Sequence, residues 1–291
     1  MKKIKSAILL LLSLITVFSF TGFASCANTD EGALGNSGEA SSVLPEDSDG
    51  ENSEEENGGT APPTSSDTVT EQPETPVAPV VKTAQYIRCT SDSVNIRSGA
   101  GTSYSVLGSA EKGTTYTVLG KTGNWYKTYY RGKTAYIYAS YASVFTLEKT
   151  DDEVEAVITE GYKLIGVPYV YGAVRLHDGK GRLLNGFTAQ KFDCSSLVQY
   201  VFYQGAGVLL NTTTRSQVTQ GTYVHPNDLQ RGDCIYFTND ERKYNSGVEK
   251  VGHVAVYLGN EYILHTASDY ARIEKMTAKR WSYYIEARRF L

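Results

Sequence analysis

Long hydrophobic runs are scarce in this sequence. The one extended run, AILLLLSLITVFSF, follows the basic start MKKIK and covers residues 7–20. A membrane-spanning helix needs about 20 apolar residues, so this run is short for a span. A basic head followed by such a run predicts a secretory signal peptide over residues 1–26. The chain also lacks a basic stripe, so its charge pattern gives no indication of a nucleic-acid partner.

Cysteine is also scarce, and the four cysteines are far apart, at Cys26, Cys89, Cys194 and Cys234. This spacing is unlike a disulfide framework. An ordinary signal peptidase could cut after Ala24 or Ala27. Alternatively, FASC at 23–26 resembles a bacterial lipobox, which implies that Cys26 is lipidated and becomes the mature N-terminus. If Cys26 is lost or lipidated, three cysteines remain, and an odd number in an exported protein predicts a free thiol.

Residues 27–83 lack folding signals. They are rich in Gly, Ser, Thr, Pro and Glu, with 13 acidic residues against one basic residue. Such a segment cannot bury enough apolar surface to offset its ordering entropy, so we predict a disordered, acidic linker. The remaining residues 84–291 carry 24 Lys and Arg against 19 Asp and Glu. This mildly basic folded part is compatible with an anionic polymer as partner.

Short strand patterns separated by Gly-rich turns fill residues 84–147. Examples are QYIRCT, SVNIRS, TYTVLG, WYKTYY and TAYIYAS, and this spacing favours a small all-β barrel. The stretches VNIRSGAGTSYSVLG and GNWYKTYYRGKTAYIYASYAS resemble the opening and closing motifs of the bacterial SH3-like (SH3b) domain. The resemblance implies a module that binds the cell wall or orients an attached enzyme. The alternative is that its aromatic residues mainly fill the barrel.

Residues 152–291 show a helical pattern followed by strand patterns. DDEVEAVITEGYKLIG predicts a helix capped by Asp151 or Asp152. In KFDCSSLVQYVF, apolar residues stand at three, four, seven and eight positions after Cys194, which predicts a helix beginning at that cysteine. The strands CIYFT, VGHVAVYLG, EYILHTAS and RIEKM follow. We therefore predict an α+β domain with helices packed on an antiparallel sheet.

The position of Cys194 suggests nucleophilic chemistry. Unpaired N–H groups at a helix N-terminus lower the pKa of a thiol, and a nearby histidine can accept and return its proton. Of the four histidines, His177 and His225 lie in polar loops and are predicted to be solvated. His253 and His265 are embedded in hydrophobic strands. A two-residue loop at Gly259-Asn260 would point them to opposite sheet faces, so the functional hypothesis requires either a bulge or a three-residue loop. We predict the odd-length loop.

These stretches, in their order along the chain, resemble the NlpC/P60 cysteine peptidases, which have a papain-like fold and act on bacterial cell walls. The matching stretches are IGVPYVYGA, FDCSSLVQYVF, LQRGDCIYF and VGHVAVYLGNEYILHTAS. The resemblance implies that Cys194 is the nucleophile, His253 the general base and acid, and His265 the residue that orients His253. It also implies that Tyr169 supports the oxyanion and that Asp193 and Ser195 hold the peptide. For Asp193, a simple N-cap role is the alternative.

The sequence departs from the family pattern in places that bear on activity. Ser196 replaces a usual Gly and could narrow the approach to the thiol. The segment 174–190 is longer than usual and could form a wall of the cleft. Thr212 stands where Arg is frequent, so Arg215 is a candidate replacement. Cys234 is expected in the core, while a Cys194–Cys234 disulfide would abolish the nucleophile.

The resemblance implies a monomeric, exported peptidoglycan hydrolase, either secreted or lipid-anchored in the cell envelope. It would cut the bond between D-γ-glutamate and the diamino acid of stem peptides without a cofactor, with the SH3b module contacting the wall. Three alternatives stay open: a catalytically inactive wall-binding scaffold, a Cys-His amidase or acyltransferase, and a Zn²⁺ site formed by Cys194, His253 and His265.

Overall fold

The computed structural model describes residues 81–291. The predicted signal peptide, Cys26 and the linker up to residue 80 lie outside these residues. The first strand begins at Thr83, the last residue assigned to the linker. In the described part of the chain, no helix combines the length and the apolar character needed to cross a membrane.

The first region consists of strands, and these fall into two sheets. Five strands form one antiparallel sheet in the order β3-β2-β7-β6-β5, while β1, β4 and β8 belong to a larger sheet. The prediction of a small barrel is therefore not confirmed, although the strand content is. Strands β3 and β8 are not among the predicted strands, and neither is β5, most of which lies in the predicted turn KTGN. The strands are β1 (Thr83–Cys89), β2 (Val94–Arg97), β3 (Val106–Ala110), β4 (Thr115–Thr117), β5 (Gly120–Thr122), β6 (Trp125–Tyr130), β7 (Lys133–Tyr138) and β8 (Ala142–Glu148).

The second region combines helices with an antiparallel sheet, as predicted. Its strands continue the larger sheet, which has nine strands in the order β8-β1-β4-β13-β12-β11-β10-β14-β9. The helices are α1 (Asp152–Lys163), α2 (Cys194–Ala206), α3 (Thr214–Gln217) and α4 (Ala278–Ser282). The strands are β9 (Thr222–Val224), β10 (Cys234–Phe237), β11 (His253–Gly259), β12 (Tyr262–Ala267), β13 (Tyr270–Lys275) and β14 (Tyr284–Arg289).

The helix α2 is anchored by its apolar face. Leu197, Val198, Val201 and Phe202 are almost fully buried. Burying each such side chain contributes about 1.5–3 kcal/mol, so this face fixes α2 against its neighbours. Those neighbours are α1 and the strands β11 and β12. The apolar face thereby sets where the first residue of the helix, Cys194, lies relative to the sheet.

The helix α1 begins as the sequence predicts and packs closely against α2. The Asp151 carboxylate accepts a hydrogen bond from the backbone N–H of Val154 at 2.9 Å, which makes Asp151 the N-cap. Where the two helices meet, a Cβ on Gly205 would lie 2.4 Å from the Cα of Val157. Only glycine allows this approach of the two backbones.

Strand β4 joins the two regions through the larger sheet. It pairs with β1 on one side and, through Thr115 and Ile273, with β13 on the other. The tight turn after β6 adds to this connection, because Arg131 donates a backbone hydrogen bond to Ile165 at 2.8 Å and a side-chain hydrogen bond to the carbonyl of Gly166 at 2.8 Å. Gly166 has φ +84°, and a Cβ there would lie 2.2 Å from the Tyr130 ring.

Candidate active site

Cys194 is the first residue of α2, and its neighbours build the start of that helix. The Asp193 carboxylate accepts a hydrogen bond from the backbone N–H of Ser196 at 2.8 Å, and the Ser196 hydroxyl accepts one from the backbone N–H of Asp193 at 2.8 Å. This capping box satisfies two N–H groups at the helix start. Because Ser196 is fully buried and does not line the cleft, the prediction that it narrows the approach to the thiol is wrong.

The two strand histidines lie side by side because of a bulge in the β11–β12 hairpin. The turn is Asn260–Glu261, one residue later than the Gly259–Asn260 turn that the sequence suggests locally, and both of its residues have positive φ. It has two residues, so the predicted odd loop is wrong. The register shifts at Leu258, which is the predicted alternative, a bulge. Nε2 of His253 consequently lies 3.0 Å from Nδ1 of His265.

Glu274 completes this row and was missed in the sequence reading. It lies on β13, and its Oε1 is 3.1 Å from Nε2 of His265, with poor hydrogen-bond alignment. The same oxygen accepts a hydrogen bond from Arg280 at 2.9 Å. The sequence did contain a signal, a carboxylate in the strand RIEKM, which forms a hairpin with the strand that carries His265.

Cys194 is buried, with 8% of the residue's surface exposed. Burial and the Asp193 carboxylate raise its pKa to about 12, while the backbone N–H groups of Val254 and Ser195 and the charge of Arg175 act in the opposite direction. The prediction that the helix N-terminus gives a lowered thiol pKa is therefore wrong for this resting site, because burial outweighs the N–H groups. Val254 is the neighbour of His253, so the thiol faces the strand that carries the imidazole.

Both imidazoles are neutral near pH 7. Burial lowers the pKa of His253 well below its usual value, and the adjacent His265 and the charge of Arg280 lower it further. Burial also lowers the pKa of His265, against the opposing effect of Glu274. Burial raises the pKa of Glu274, but His265 and Arg280 outweigh burial and bring it to about 2. The resting row is thus a thiol, two neutral imidazoles and a carboxylate.

A cleft of about 570 Å³ opens beside the thiol. Its lining includes Cys194, Asp193, Ser195 and Tyr169, so the structure brings these predicted site residues together. His253 is buried behind them, next to the lining residue Gly252. The segment that carries Tyr169 forms a parallel bridge with Phe192, which holds it beside the entry to α2.

Tyr169 is half-buried at this cleft. Burial raises its pKa to about 12, and the nearby Cys194 and Asp193 act in the same direction. Its hydroxyl therefore keeps its proton at neutral pH and can donate a hydrogen bond into the cleft. The backbone N–H of Ser195 is a second donor directed towards the sulfur.

Three arginines line the cleft, and two of them were not anticipated. Arg175 comes from the segment 174–190 and donates to Asp193 at 2.7 Å, so this segment does form part of the wall. Arg215, the predicted replacement, and Arg242 both contact the carboxylate of Glu249, at 3.4 and 3.3 Å.

The loop histidines differ from each other. His225 is exposed, as predicted, but His177 is fully buried, so the prediction that it is solvated is wrong. Its ring packs against Tyr203 with the ring centroids 5.0 Å apart, and its Nδ1 accepts a hydrogen bond from the backbone N–H of Gly179 at 3.0 Å. The polar surroundings in the sequence hid this anchoring role.

Cys89 and Cys234 do not line the cleft. Like Cys194, both are free thiols, and Cys234 is buried on β10. Between residues 81 and 291, no group of three or more His, Cys, Asp or Glu side chains has an arrangement that could hold a metal ion. The arrangement required by the zinc alternative is thus not formed.

The fold and site together define an α+β protein with a cysteine at a helix N-terminus facing a His-His-Glu row on an antiparallel sheet. Residues 166–289 match the model of the NlpC/P60 family, and residues 92–143 match that of the bacterial SH3 domain. The chain contains an NlpC/P60 family domain preceded by a bacterial SH3 domain.

Two curated relatives illustrate the match. The Gamma-DL-glutamyl hydrolase of Bacillus subtilis is 33% identical over 43% of this chain and 26% of its own length. The Peptidoglycan DL-endopeptidase CwlO of Bacillus licheniformis is 32% identical over 49% of this chain and 29% of its own length. The chain therefore spans less than a third of either relative. A solved NlpC/P60 family protein from Bacillus cereus is 21% identical over 72% of this chain and 64% of its own, with a TM-score of 0.38.

Proposed function

We propose that this protein is a peptidoglycan hydrolase, a cysteine endopeptidase with papain-like architecture that cuts the D-γ-glutamyl–diamino acid bond of stem peptides. The observation that carries the proposal is the row of His253, His265 and Glu274, together with Cys194, whose thiol lies against strand β11 beside a cleft. The names of the relatives, a glutamyl hydrolase and a peptidoglycan endopeptidase, support the same substrate class.

In the proposed reaction, His253 accepts the thiol proton as the sulfur of Cys194 attacks the peptide carbonyl. The thiol is neutral at rest, so deprotonation accompanies attack. The positive charge that forms on His253 is stabilised through His265 by the ionised Glu274. His253 then protonates the leaving amine, and water hydrolyses the thioester by the reverse proton path.

The oxyanion of the tetrahedral intermediate needs donors near the sulfur. The backbone N–H of Ser195 and the protonated hydroxyl of Tyr169 are both available at the cleft. In a cleft partly shielded from water, such fixed donors stabilise developing charge more strongly than solvent does. We assign both to this role, and Asp193 and Ser195 to holding the peptide.

The charges at the cleft support a substrate with free carboxylates. Arg215 and Arg242 share one carboxylate, that of Glu249, whose side chain is 62% exposed. A carboxylate of the stem peptide could replace it, because both contacts are longer than the roughly 2.8 Å of a strong charge-assisted hydrogen bond. The carboxylate of Glu241, also at the cleft, would suit an ammonium group of the substrate.

We assign wall contact to the SH3 domain. A groove of about 530 Å³ there is lined by the aromatic residues Trp125, Tyr138 and Tyr141 and by the charged residues Arg97 and Asp92, among others. The Trp125 and Tyr138 rings lie 5.1 Å apart, and Tyr141 is 47% exposed. Aromatic faces beside charged groups suit a peptide or sugar of the wall. An envelope location, by secretion or by lipid at Cys26, is part of this proposal.

One observation favours a second function, a wall-binding scaffold without turnover. The thiol is largely buried and its pKa is raised, which would suit an inactive site. An amidase or acyltransferase would use the same Cys-His chemistry and differ only in the bond that is cut or formed.

The test is incubation of the purified protein with soluble muropeptides carrying tri- and tetrapeptide stems, with products read by mass spectrometry. Wild type should give a cut after γ-D-glutamate, and Cys194→Ala should give none. A different Cys194-dependent product would indicate the amidase or acyltransferase. Intact stems with measurable binding would instead support the scaffold.

A further inference from the structure

Arg175 uses all three nitrogens of its guanidinium in hydrogen bonds at the cleft. Its Nε donates to the carbonyl of Thr212 at 2.8 Å and its Nη1 to the carbonyl of Ala173 at 2.7 Å. Its Nη2 donates to the Asp193 carboxylate at 2.7 Å and to the Ser195 hydroxyl at 3.1 Å. These contacts hold the guanidinium at one orientation and fix the two residues that flank the nucleophile.

The segment that carries Arg175 is itself firmly seated. His177, two residues further on, is fully buried and packs on Tyr203 of α2. A bridge between His177 and Leu183 closes the segment on itself. Arg175 is therefore held in place both by its own hydrogen bonds and by the local fold of the segment.

The negative charge of Asp193 disfavours a thiolate at Cys194, and the positive charge of Arg175 offsets this effect. Its carboxylate caps α2 directly before Cys194, so a negative charge stands beside the atom that must become negative. Asp193 disfavours the thiolate, and Arg175 favours it. An ion pair at 2.7 Å, in which the Arg175 side chain is 18% exposed and that of Asp193 6%, leaves less of that carboxylate charge acting on the sulfur.

We propose that Arg175 is a positioning residue of the reaction: its guanidinium holds and neutralises the Asp193 carboxylate, so that negative charge can form on the sulfur of Cys194. The inference rests on the proposed function, because thiol attack is the step that it serves. The segment 174–190, which carries Arg175, then contributes to the reaction as well as to the cleft wall. With its charge neutralised in this way, the Asp193 carboxylate can cap α2 beside Cys194 without preventing formation of the thiolate.

The rival explanation is that the Arg175–Asp193 pair only supports the local fold. The two explanations differ in the sign of two single substitutions. If the pair is purely structural, breaking it from either side disturbs the same contact, and both variants change the thiol in the same direction. If charge is what matters, Arg175→Gln hinders formation of the thiolate, whereas Asp193→Asn favours it and still caps the helix.

The experiment measures alkylation of Cys194 by iodoacetamide in the full chain between pH 7 and 9, followed at that residue by peptide mass spectrometry. Alkylation rate follows the thiolate fraction, which changes about tenfold when the thiol pKa moves by one unit. We expect Arg175→Gln to react about three- to tenfold more slowly than wild type and Asp193→Asn to react faster by a similar factor. The double variant should return to within about twofold of wild type if the two charges offset each other.

Two further variants keep the result interpretable. Arg175→Lys retains the charge and should lie between wild type and Arg175→Gln. Arg182→Gln removes a charge from the same segment at a side chain that is 80% exposed and away from the cleft lining, and should react as wild type does. Thermal unfolding of every variant checks that the fold is intact.

Single variants that both react more slowly, or both faster, than wild type would overturn the proposal. So would a double variant as slow as Arg175→Gln. Because alkylation needs no substrate, these outcomes are independent of whether muropeptides are cut. If wild type cuts no stem but the opposite signs are observed, the peptidase proposal fails and the role of Arg175 toward the thiol stands. If stems are cut, Arg175→Gln should lower kcat more than it raises KM.

Discussion

Replacing Arg231 with alanine should destabilise both regions of the described chain together. Arg231 is 7% exposed, pairs with Glu155 of α1 and donates to the Leu258 carbonyl at 2.8 Å. It also donates to the hydroxyls of Tyr86 on β1 and Tyr162 on α1, at 3.0 and 2.8 Å. One guanidinium therefore connects the first strand of the SH3 region with a helix and the sheet of the NlpC/P60 region.

The expected loss in unfolding free energy follows from the groups that lose their partner in Arg231→Ala. Arg231→Ala removes the partner of Glu155, whose side chain is 12% exposed. It also removes the donor to the Leu258 carbonyl and to the hydroxyls of Tyr86 and Tyr162, which then keep only their hydrogen bond to each other. Removing one member of a buried ion pair costs about 3–5 kcal/mol. For a folded unit of this size, each kcal/mol lowers Tm by roughly 2–4 °C, so we expect a decrease of roughly 6–20 °C. Arg231→Met combined with Glu155→Leu should lose less, because no unpaired charge remains.

Differential scanning calorimetry of the full chain provides the assay, with urea unfolding as a second measure. Wild type should show one main transition for both regions, and Arg231→Ala should move the whole transition. Arg182→Gln, at an exposed arginine, is the matched control. The reasoning fails if Arg231→Ala costs less than about 1 kcal/mol, the value of a surface pair, or if only one of two separate transitions moves.

Three other predictions concern the site. Glu274→Gln should lower kcat on muropeptides about tenfold or more with little change in KM, because the cation on the histidine row loses its carboxylate. The free energy of unfolding should fall as pH drops below 6.5, by about 1.4 kcal/mol per pH unit from His253 alone, since the unfolded chain takes up a proton there that the folded chain does not; urea titrations should show a shallower fall in His253→Gln. Arg242→Gln should raise KM for stems with free carboxylates, Glu249→Gln should lower it by removing an internal competitor, and Arg182→Gln should do neither.

Much of the candidate site is readable from local sequence. The apolar spacing after Cys194 places that residue at a helix start, and Asp193 is recognisable as its cap. His253 and His265 stand out because a histidine in an apolar strand needs a polar partner. What local sequence does not give is whether the two face each other, since one extra residue in a hairpin reverses a face. The bulge at Leu258 places the two histidines on the same face, and the local sequence contains no signal that predicts this bulge.

The missed residues share a physical cause. Arg175 is 18 residues from Asp193, and Glu274 reaches His265 only when the β12–β13 hairpin forms; each looks like an ordinary surface charge in isolation. The pKa of Cys194 differs from the sequence prediction for a related reason. The helix start is a local feature and lowers the pKa, but the burial that raises it depends on the strand and segments packed around the thiol.

The two modules are distinct in sequence, but in the structure their strands share one sheet. Strand β4 has only three residues and is stabilised on both sides, by β1 and, through Thr115 and Ile273, by β13. The neighbour of Ile273 in β13 is Glu274, which contacts His265. A chain cut between the modules would expose the edge of β13 and uncover Gly166, where Tyr130 now packs. The SH3 domain therefore supports the strand that ends the histidine row, so its loss should reduce turnover even of soluble stems that need no wall binding.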